Sequence, residues 1–429
     1  MIINVVFRRG GSCNDIAPTD GNSIPDGVTF VTIQSQRNDT YGFLEYDCST
    51  FVDILKKHSM KIPIIYLEEF NDLCPEYLAL LVTCFGKAEE CLILTDALMG
   101  DAGYSCLMSC FLQQDGPTEL EFHARNNGFS TISQAQLFFG GIGYSSTLKQ
   151  LRLVTEVEDA GPFADEEVCR ALVNALRRNR SLESLLIDEY MFHENTSNEI
   201  MPRVFEVAIM ETQVRDLDIE QCSIPYDTMV EVLCRQECSL EKLSTSSVRY
   251  LPQSSSQFAN TDAENVPKNS SVKKCAMHYA GLESPLLTEV VGIFTSLVDL
   301  DLSDNQIEDL SPFDPLLLGD NLTLRRLVLS ANSIGDNEAV VFFRKIPEMK
   351  HLRVLEMDDN LFLKRFFHRR EEDNSEPLWL NVLPDISWRN KSLDEIKLRS
   401  PHWYYDPDIW SKVCFPLWLN RGGRRDLEP

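Results

Sequence analysis

Three neighbouring segments share one nine-residue pattern, and this pattern restricts the fold more than any other feature of the chain. The segments begin at Leu297, Leu324 and Leu352, spaced by 27 and 28 residues, and each reads L-x-x-L-x-L-x-x-N, with Met357 replacing one leucine. The two apolar residues of L-x-L lie on the same face of a short strand. A single unit cannot bury them, so neighbouring units must stack. The asparagine is predicted to end the strand and to bond backbone groups that leave the sheet.

The pattern continues toward the N-terminus in a degenerate form, in which the second leucine or its equivalent marks each copy. These markers follow one another at intervals of 26 to 34 residues and are Ile65, Leu92, Leu120, Leu151, Leu185, Leu217, Leu243 and Cys275. A further copy begins at Leu393, and Val31 with Ile33 forms a candidate first copy. The sequence therefore predicts an α/β repeat solenoid of about 12 repeats.

Helical patterns separate the predicted strands. After Asp165, which is placed to cap a first turn, Val168, Leu172 and Leu176 fall on one helical stripe. Pro285 suits the first position of a second helix. Each repeat is therefore predicted to consist of a strand, a turn and a helix.

The strand motif, the Gly100-Asp-Ala-Gly103 turn and the helix that follows it resemble the ribonuclease-inhibitor-like class of leucine-rich repeats. The resemblance covers roughly residues 60–400. It implies a right-handed α/β horseshoe with parallel strands on the concave face and helices on the convex face. The segment 415–424 is similar to the C-terminal ends of diatom and other algal repeat proteins.

The composition of the chain suggests three regions. We expect an N-terminal cap with a degenerate first repeat over residues 1–60, the repeat array over 61–400, and an aromatic C-terminal cap and tail over 401–429. Within the array, a serine-rich mobile loop is expected near 249–271 and a basic insertion near 364–377. The tryptophans favour the C-terminal cap, with a binding hot spot as the alternative, because all of them lie near that end: Trp379, Trp388, Trp403, Trp410 and Trp418.

Charge and apolar content limit the classes of partner. The formal net charge of −26 argues against nucleic acid and favours a partner with a basic surface. No apolar run is long enough to cross a bilayer, and no signal peptide is recognised, so we expect a monomeric, intracellular protein of the cytoplasm or nucleus. The 13 cysteines are odd in number and scattered, which favours free buried thiols.

The sequence offers no catalytic, cofactor or metal site. Gly140-Gly-Ile-Gly143 lacks the Lys-Ser/Thr that follows a phosphate-binding loop. The segment that starts at Asp299 fails as a calcium loop, because Asp304 stands where glycine is required and Leu310 where glutamate is required. The pairs Cys106/Cys110 and Cys234/Cys238 are interpreted as small core residues. We therefore expect a protein that is not an enzyme.

A partner protein is expected on the strand face that points away from the helices. Its candidate binding residues flank the marker leucines and are Glu119, Glu121, Asp216, Asp218, Glu220, Asp299, Asp301, Arg326, Glu356 and Asp358. They form either an electrostatic binding surface for a basic partner or a mixed, solvated face. The favoured function is a non-catalytic interaction scaffold or adaptor.

Two alternatives remain from the sequence. The chain resembles Ran GTPase-activating proteins in its repeat class, and Arg8 or Arg9 would then supply the functional arginine, although the long acidic tail of that family is missing. A substrate-recognition subunit of a ubiquitin ligase would require an F-box, and residues 1–60 show no such pattern. Fold alone does not carry either function.

Overall fold

A computed structural model gives the conformation of twenty stretches of the chain. They are 2–7, 30–34, 44–46, 48–58, 61–68, 75–95, 100–113, 116–124, 129, 131–155, 166–188, 197–220, 223–235, 238–246, 249–251, 268–282, 284–318, 323–363, 378–390 and 392–398. The chain divides into two compact units, Met1–Ser223 and Ile224–Pro429. Each unit is an α/β repeat solenoid, as the sequence predicts.

The first unit is built on parallel strands that pair almost entirely in chain order. Within the described residues they are Ile2–Phe7 (β1), Phe30–Gln34 (β2), Leu44–Tyr46 (β3), Ile62–Glu68 (β4), Ala88–Thr95 (β5), Glu119–Ala124 (β6), Gln150–Thr155 (β7), Ser184–Asp188 (β8) and Asp216–Glu220 (β9). The order across the sheet is β3-β1-β2-β4-β5-β6-β7-β8-β9. Val31 is in register with Ile65, and the marker leucines continue that register to Leu217.

The second unit repeats the same arrangement. Its parallel strands, again among the residues described, are Lys242–Ser246 (β11), Lys274–His278 (β13), Asp299–Asp301 (β14), Arg326–Val328 (β15), Val354–Glu356 (β16) and Glu395–Lys397 (β17), while Ser223–Pro225 (β10) and Arg249–Leu251 (β12) are short additional strands. Leu243, Cys275 and Leu300 share one register, which continues through Leu327 and Leu355 to Ile396. The degenerate copy at Cys275 is therefore part of the sheet.

Helices follow the strands in both units. The first unit contains Cys48–Lys57 (α1), Pro75–Lys87 (α2), Gly100–Phe111 (α3), Ile132–Tyr144 (α4), Glu166–Arg178 (α5) and Ser197–Met210 (α6). The second contains Tyr226–Leu233 (α7), Ser284–Ile293 (α8), Asp314–Leu317 (α9), Asp336–Lys345 (α10) and Leu378–Arg389 (α11), with 3-10 turns at Ser311–Phe313 and Ile346–Glu348. Helix α5 buries Val168, Leu172 and Leu176 on the predicted stripe.

The core of each unit lies between strands and helices. Leu120 and Phe122 of β6 are almost fully buried, whereas the residues that alternate with them are only half-buried. The Phe122 ring packs against Phe138 of α4, with ring centroids 4.8 Å apart. Burying a side chain of this size contributes roughly 1.5–3 kcal/mol, and only stacked repeats collect enough such contributions.

A ladder of buried asparagines follows three successive strands of the second unit, β14, β15 and β16. Asn305, Asn332 and Asn360 each donate from Nδ2 to backbone carbonyls of their own repeat and of the repeat before. The left-handed turn conformation falls on the residue before the asparagine, with φ of 58° at Asp304 and 53° at Ala331. The predicted role of the asparagine amide is confirmed, but the tight-turn geometry belongs to its predecessor.

A second set of asparagines lies at the opposite, helical ends of the repeats. Asn179, Asn269 and Asn390 are buried, and each amide nitrogen donates to carbonyls of an earlier repeat. In each case Oδ1 accepts the backbone N–H of the serine two residues later, as Asn179 does for Ser181 at 2.8 Å. These asparagines therefore act as structural caps. Although Asn-x-Ser is also the sequence pattern of N-glycosylation, a buried and hydrogen-bonded amide is not accessible for attachment of a glycan.

The glycine-rich segment of α4 permits a close approach between helices. A Cβ atom at Gly141 would lie 2.9 Å from Cα of Met108 and 2.7 Å from the Phe111 ring, both in α3. A Cβ atom at Gly143 would lie 3.1 Å from Cα of Ala175 in α5. The glycines of this segment thus serve helix packing.

Several predicted features lie outside the described residues. They include most of the predicted serine-rich loop, the whole of the basic insertion at 364–377, and the whole of 401–429. Of the tryptophans, Trp379 is buried in α11 and packs edge-on against Phe362 with ring centroids 5.4 Å apart. The predicted C-terminal cap itself, at 401–429, lies outside the described residues.

Candidate interaction surface on the strand faces

Each sheet presents one face that carries the residues alternating with the buried positions, and we call this the open face. On β9, for example, Leu217 and Ile219 are buried, while Asp216, Asp218 and Glu220 are half-buried on the open face. The candidate binding residues occupy such positions on their strands, except Asp358, which lies beyond the end of β16. Asp358 contributes a backbone carbonyl that accepts the N–H of Ala331 at 2.7 Å.

In the first unit, Glu119 and Glu121 of β6 meet an arginine that the sequence reading did not single out. Arg152 of β7 lies 4.0 Å from the Glu119 carboxylate and 3.5 Å from that of Glu121. Glu121 also accepts a 2.5 Å hydrogen bond from His123, and this bond holds the pKa of Glu121 below its usual range. Burial instead raises the pKa of Glu119. Since strand pairing places position 152 beside 121, the arginine was detectable from the repeat alignment.

A second group on the same face contains acids alone, and we call it the acidic zone. It consists of Asp188 on β8 with Asp216, Asp218 and Glu220 on β9. The remaining open-face positions of these two fully described strands are Ser184 and Leu186, so no basic residue belongs to either open face. Burial, followed by repulsion from Asp218 and Asp188, raises the pKa of Glu220 against the opposing charge of Arg152 on β7. Asp188 was missed from the sequence, although its register with Glu220 would have identified it.

Removing one charge from this zone should stabilise the first unit at neutral pH. A carboxylate with a raised pKa in the folded state contributes most favourably below its ordinary pKa of 4.5, and that contribution is lost as the pH rises through the folded-state pKa. We therefore expect Glu220→Gln to raise the free energy of unfolding by less than about 1 kcal/mol at pH 7. Urea denaturation at several pH values measures this gain, which should disappear in acid. A stability loss at pH 7 would contradict it.

The acids of the second unit are arranged around Arg326. Its guanidinium lies 3.0 Å from Asp299 and 3.1 Å from Glu356, with Asp301 at 3.8 Å. Lys397 holds the other oxygen of Glu356 at 3.0 Å. The hydrogen bond and charge of Asp299, with the charges of Glu356 and Asp301, raise the pKa of Arg326 against the opposing effect of burial. This open face is therefore largely neutralised by its own side chains.

A serine, a histidine and an aspartate also meet on the open face of the second unit. The Ser303 hydroxyl lies 2.8 Å from His278 Nδ1 and 2.7 Å from Asp301 Oδ1. In a catalytic triad the carboxylate binds the ring nitrogen that is remote from the serine. Here Asp301 instead accepts hydrogen bonds from the serine's hydroxyl and backbone N–H. The arrangement differs from a nucleophilic triad and fits a structural turn.

The predicted binding residues fall into separate groups along the strands. Three strand intervals separate Glu119 and Glu121 from β9, which is about 14 Å at the usual strand spacing. Within the described part of the chain, no cluster of three or more histidine, cysteine, aspartate or glutamate residues is suited to a metal ion. No described helix has both the length and the apolar character needed to cross a membrane.

Comparison with known proteins adds no identification. No protein-family model matches the chain, and no curated protein is significantly similar to it.

Proposed function

We propose that this chain is a non-catalytic interaction scaffold or adaptor of the ribonuclease-inhibitor-like leucine-rich-repeat class. It binds a partner protein through the open face of the first unit. The observation that supports this most directly is the acidic zone, where Asp216, Asp218 and Glu220 lie half-buried along one strand, with the buried Asp188 beside them on β8. Such a surface attracts and orients a basic segment of a partner.

The contrast with the second unit supports the choice of surface. On the described strands of that unit, the acids Asp299, Asp301, Glu356 and Glu395 are matched in number by the bases Lys242, Lys274, Arg326 and Lys397. A basic partner would compete there with Arg326 and Lys397, which already hold Asp299 and Glu356. The balanced charge of this face makes it the weaker candidate.

Apolar residues near the acidic zone suggest where the partner gains affinity. Ile64, Tyr66 and Ile93 are half-buried on the open face of β4 and β5. Ile93 and Asp218 occupy the same register row four strands apart, a separation of about 19 Å. Apolar anchors dominate binding energy, whereas charges control the association rate and specificity. The favoured partner therefore combines an apolar anchor with basic residues.

The experiment compares two variants with equal changes of charge. A fluorescent peptide with lysine and arginine at one end and leucine and phenylalanine at the other serves as the probe. We expect the acidic-zone variant D216N/D218N/E220Q to bind it about tenfold more weakly than the wild type, a loss of about 1.4 kcal/mol. The control variant E166Q/E231Q/E308Q removes exposed acids that lie off the open faces and should bind normally.

Salt dependence and specificity complete the test. Raising the ionic strength above about 0.15 M should weaken wild-type binding more than binding by the acidic-zone variant. Equal losses in the two variants would mean that overall acidity, not the open face, attracts the peptide. An absence of wild-type binding at low salt would also contradict the proposal. Accelerated GTP hydrolysis by small GTPases in the presence of the chain would favour the GTPase-regulator alternative.

A further inference from the structure

A cleft of about 210 Å³ lies between α4 and α5, on the side of the first sheet that carries the helices. Its most buried lining residues are Phe139 and Ala175, whereas Gln136 and Asn174 are exposed at its mouth. Gly140 also lines the cleft and has no side chain to fill it. The first unit therefore has a concave polar surface on the side opposite to its open face.

The two amide side chains at the mouth of the cleft are available to a ligand. Neither Gln136 nor Asn174 forms a hydrogen bond with another part of the chain that the structure describes. A carboxamide has both donor and acceptor atoms, and so does a peptide group. Because Gly140 lies between them without a side chain, a peptide main chain can approach closely. The cleft is thus suited to an extended peptide segment.

Two of the three arginines of α5 already have carboxylate partners. Arg170 lies 2.6 Å from Glu166 and 2.5 Å from Glu167, both one turn earlier in the same helix. Arg177 donates two hydrogen bonds to Glu211, at 2.8 and 3.1 Å. The positive charges of these two arginines are therefore balanced within the chain.

Arg178, the third arginine, lines the cleft at its C-terminal end and keeps its charge. No carboxylate among the described residues lies within salt-bridge distance of it. Its guanidinium carbon is 5.6 Å from the centre of the Tyr144 ring, a cation–π contact that orients the charge without neutralising it. The negative end of α4 opposes an anion there only weakly, because Asn179 donates to the Ile142 carbonyl at 2.6 Å. Arg178 is therefore placed to bind a carboxylate through paired hydrogen bonds.

We propose that this cleft binds a short acidic segment of a partner protein in an extended conformation. An aspartate or glutamate of the segment bonds to Arg178, and its main chain bonds to Gln136 and Asn174. The lining residues of α5 run from Glu167 to Arg178, roughly 16 Å along the helix, which about five extended residues cover. The cleft shares no residue with the acidic zone, so the chain would hold a basic and an acidic segment on different surfaces.

The exposed ring of Tyr144 favours an acidic side chain within a segment over a free C-terminal carboxylate. This ring is 55% exposed and lies beside Arg178. A chain that continues past the carboxylate would cover the ring, and aromatic surface of this kind contributes strongly to binding. A chain that ended at Arg178 would leave the ring in water.

The test measures fluorescence anisotropy with the full chain and two fluorescein-labelled peptides. One peptide carries two glutamates between glycine and alanine residues, and the matched peptide has glutamines in their place. We expect the wild type to bind the glutamate peptide about tenfold more tightly, because hydrogen bonds to a charged partner are stronger. Arg178→Gln should remove this preference. Equal affinity for the two peptides, or no binding of the glutamate peptide at low salt, would overturn the proposal.

Two further variants separate the cleft from general attraction of acidic peptides. Arg180→Gln removes the same charge from an exposed residue outside the cleft and should change the affinity by less than about twofold. Ala171→Met fills the cleft without changing the charge and should weaken binding of the glutamate peptide about tenfold. Methionine is a good helix former, and circular dichroism verifies the fold. Equal losses in Arg178→Gln and Arg180→Gln, or full binding by Ala171→Met, would overturn the proposal.

A last measurement keeps this result separate from that of the acidic zone. Arg178→Gln and Ala171→Met should bind the basic probe peptide as tightly as the wild type does, because neither residue lies on the open face. Loss of basic-peptide binding in these variants would show that their effect is not local, and would overturn the assignment of the acidic peptide to the cleft.

Discussion

Replacement of Asn332 by alanine is expected to lower the free energy of unfolding of the second unit by about 3 kcal/mol. The Asn332 side chain is 4% exposed, and its Nδ2 donates to the carbonyls of Leu302 at 2.9 Å and Leu329 at 3.1 Å. Its Oδ1 accepts the N–H of Ile307 at 3.1 Å. Alanine would leave the Ile307 N–H buried without its partner, at a cost of about 1 kcal/mol or more. It would also remove one of two donors from each carbonyl, because Asn305 still bonds Leu302 and Asn360 still bonds Leu329.

Asn337 provides the matched control for this substitution. It is exposed in the first turn of α10, only five residues further along the chain. Asn337→Ala should change stability by less than about 0.5 kcal/mol. Urea denaturation followed by circular dichroism measures both variants, and amide hydrogen exchange should show lost protection at Ile307 in Asn332→Ala alone. Similar stability losses in the two variants would argue against the ladder as a source of stability.

Gly141→Ala is the second large effect, with an expected loss of about 2 kcal/mol in the first unit. The added methyl group would stand 2.9 Å from the backbone of Met108 and 2.7 Å from the Phe111 ring. A ring can rotate, but the Met108 Cα atom moves only with the whole of α3. The two helices must therefore separate, which removes part of the packing between α3 and α4. Thermal denaturation gives the measurement.

The neighbouring Gly140 provides a matched control for this prediction. A Cβ atom at Gly140 would meet only the flexible end of Met108, at an ordinary contact distance of 3.8 Å. Alanine is the better helix former, so Gly140→Ala should stabilise the first unit by up to about 1 kcal/mol. The two substitutions are expected to change the stability of the first unit in opposite directions, because only Gly141 faces the α3 backbone. A stabilised Gly141→Ala variant would show that the close approach is not required.

Much of the fold was predictable, because in a repeat protein the local sequence of each unit is sufficient to place its strand and its helix. Leu300, Leu327 and Leu355 fall into one register as their spacing predicts, and even the polar-flanked Cys275 takes its place beside Leu243. Alternation along a strand then determines which side chains reach the open face. The strand, turn and helix of each repeat involve contacts within about 30 residues, which is the range that a periodic pattern encodes.

The candidate site was less predictable, because electrostatics depends on which side chains meet across strands. The sequence listed Glu121, Asp218 and Asp299 as equivalent acids. In the structure His123 and Arg152 hold Glu121, and Arg326 holds Asp299. Asp218 instead lies beside Glu220, whose pKa is raised by burial and then by the charge of Asp218. Only the side-chain contacts of the folded chain distinguish these three situations.

The sequence by itself determined that this protein stacks strand–helix repeats, because apolar residues recurring at similar intervals leave water when successive units stack. Tertiary structure alone decided which charges are neutralised by neighbours and which accumulate. It also decided that Asn179, Asn269 and Asn390 are buried and bonded to an earlier repeat. These properties depend on atoms from different repeats coming within a few ångströms, a distance that a linear pattern does not specify.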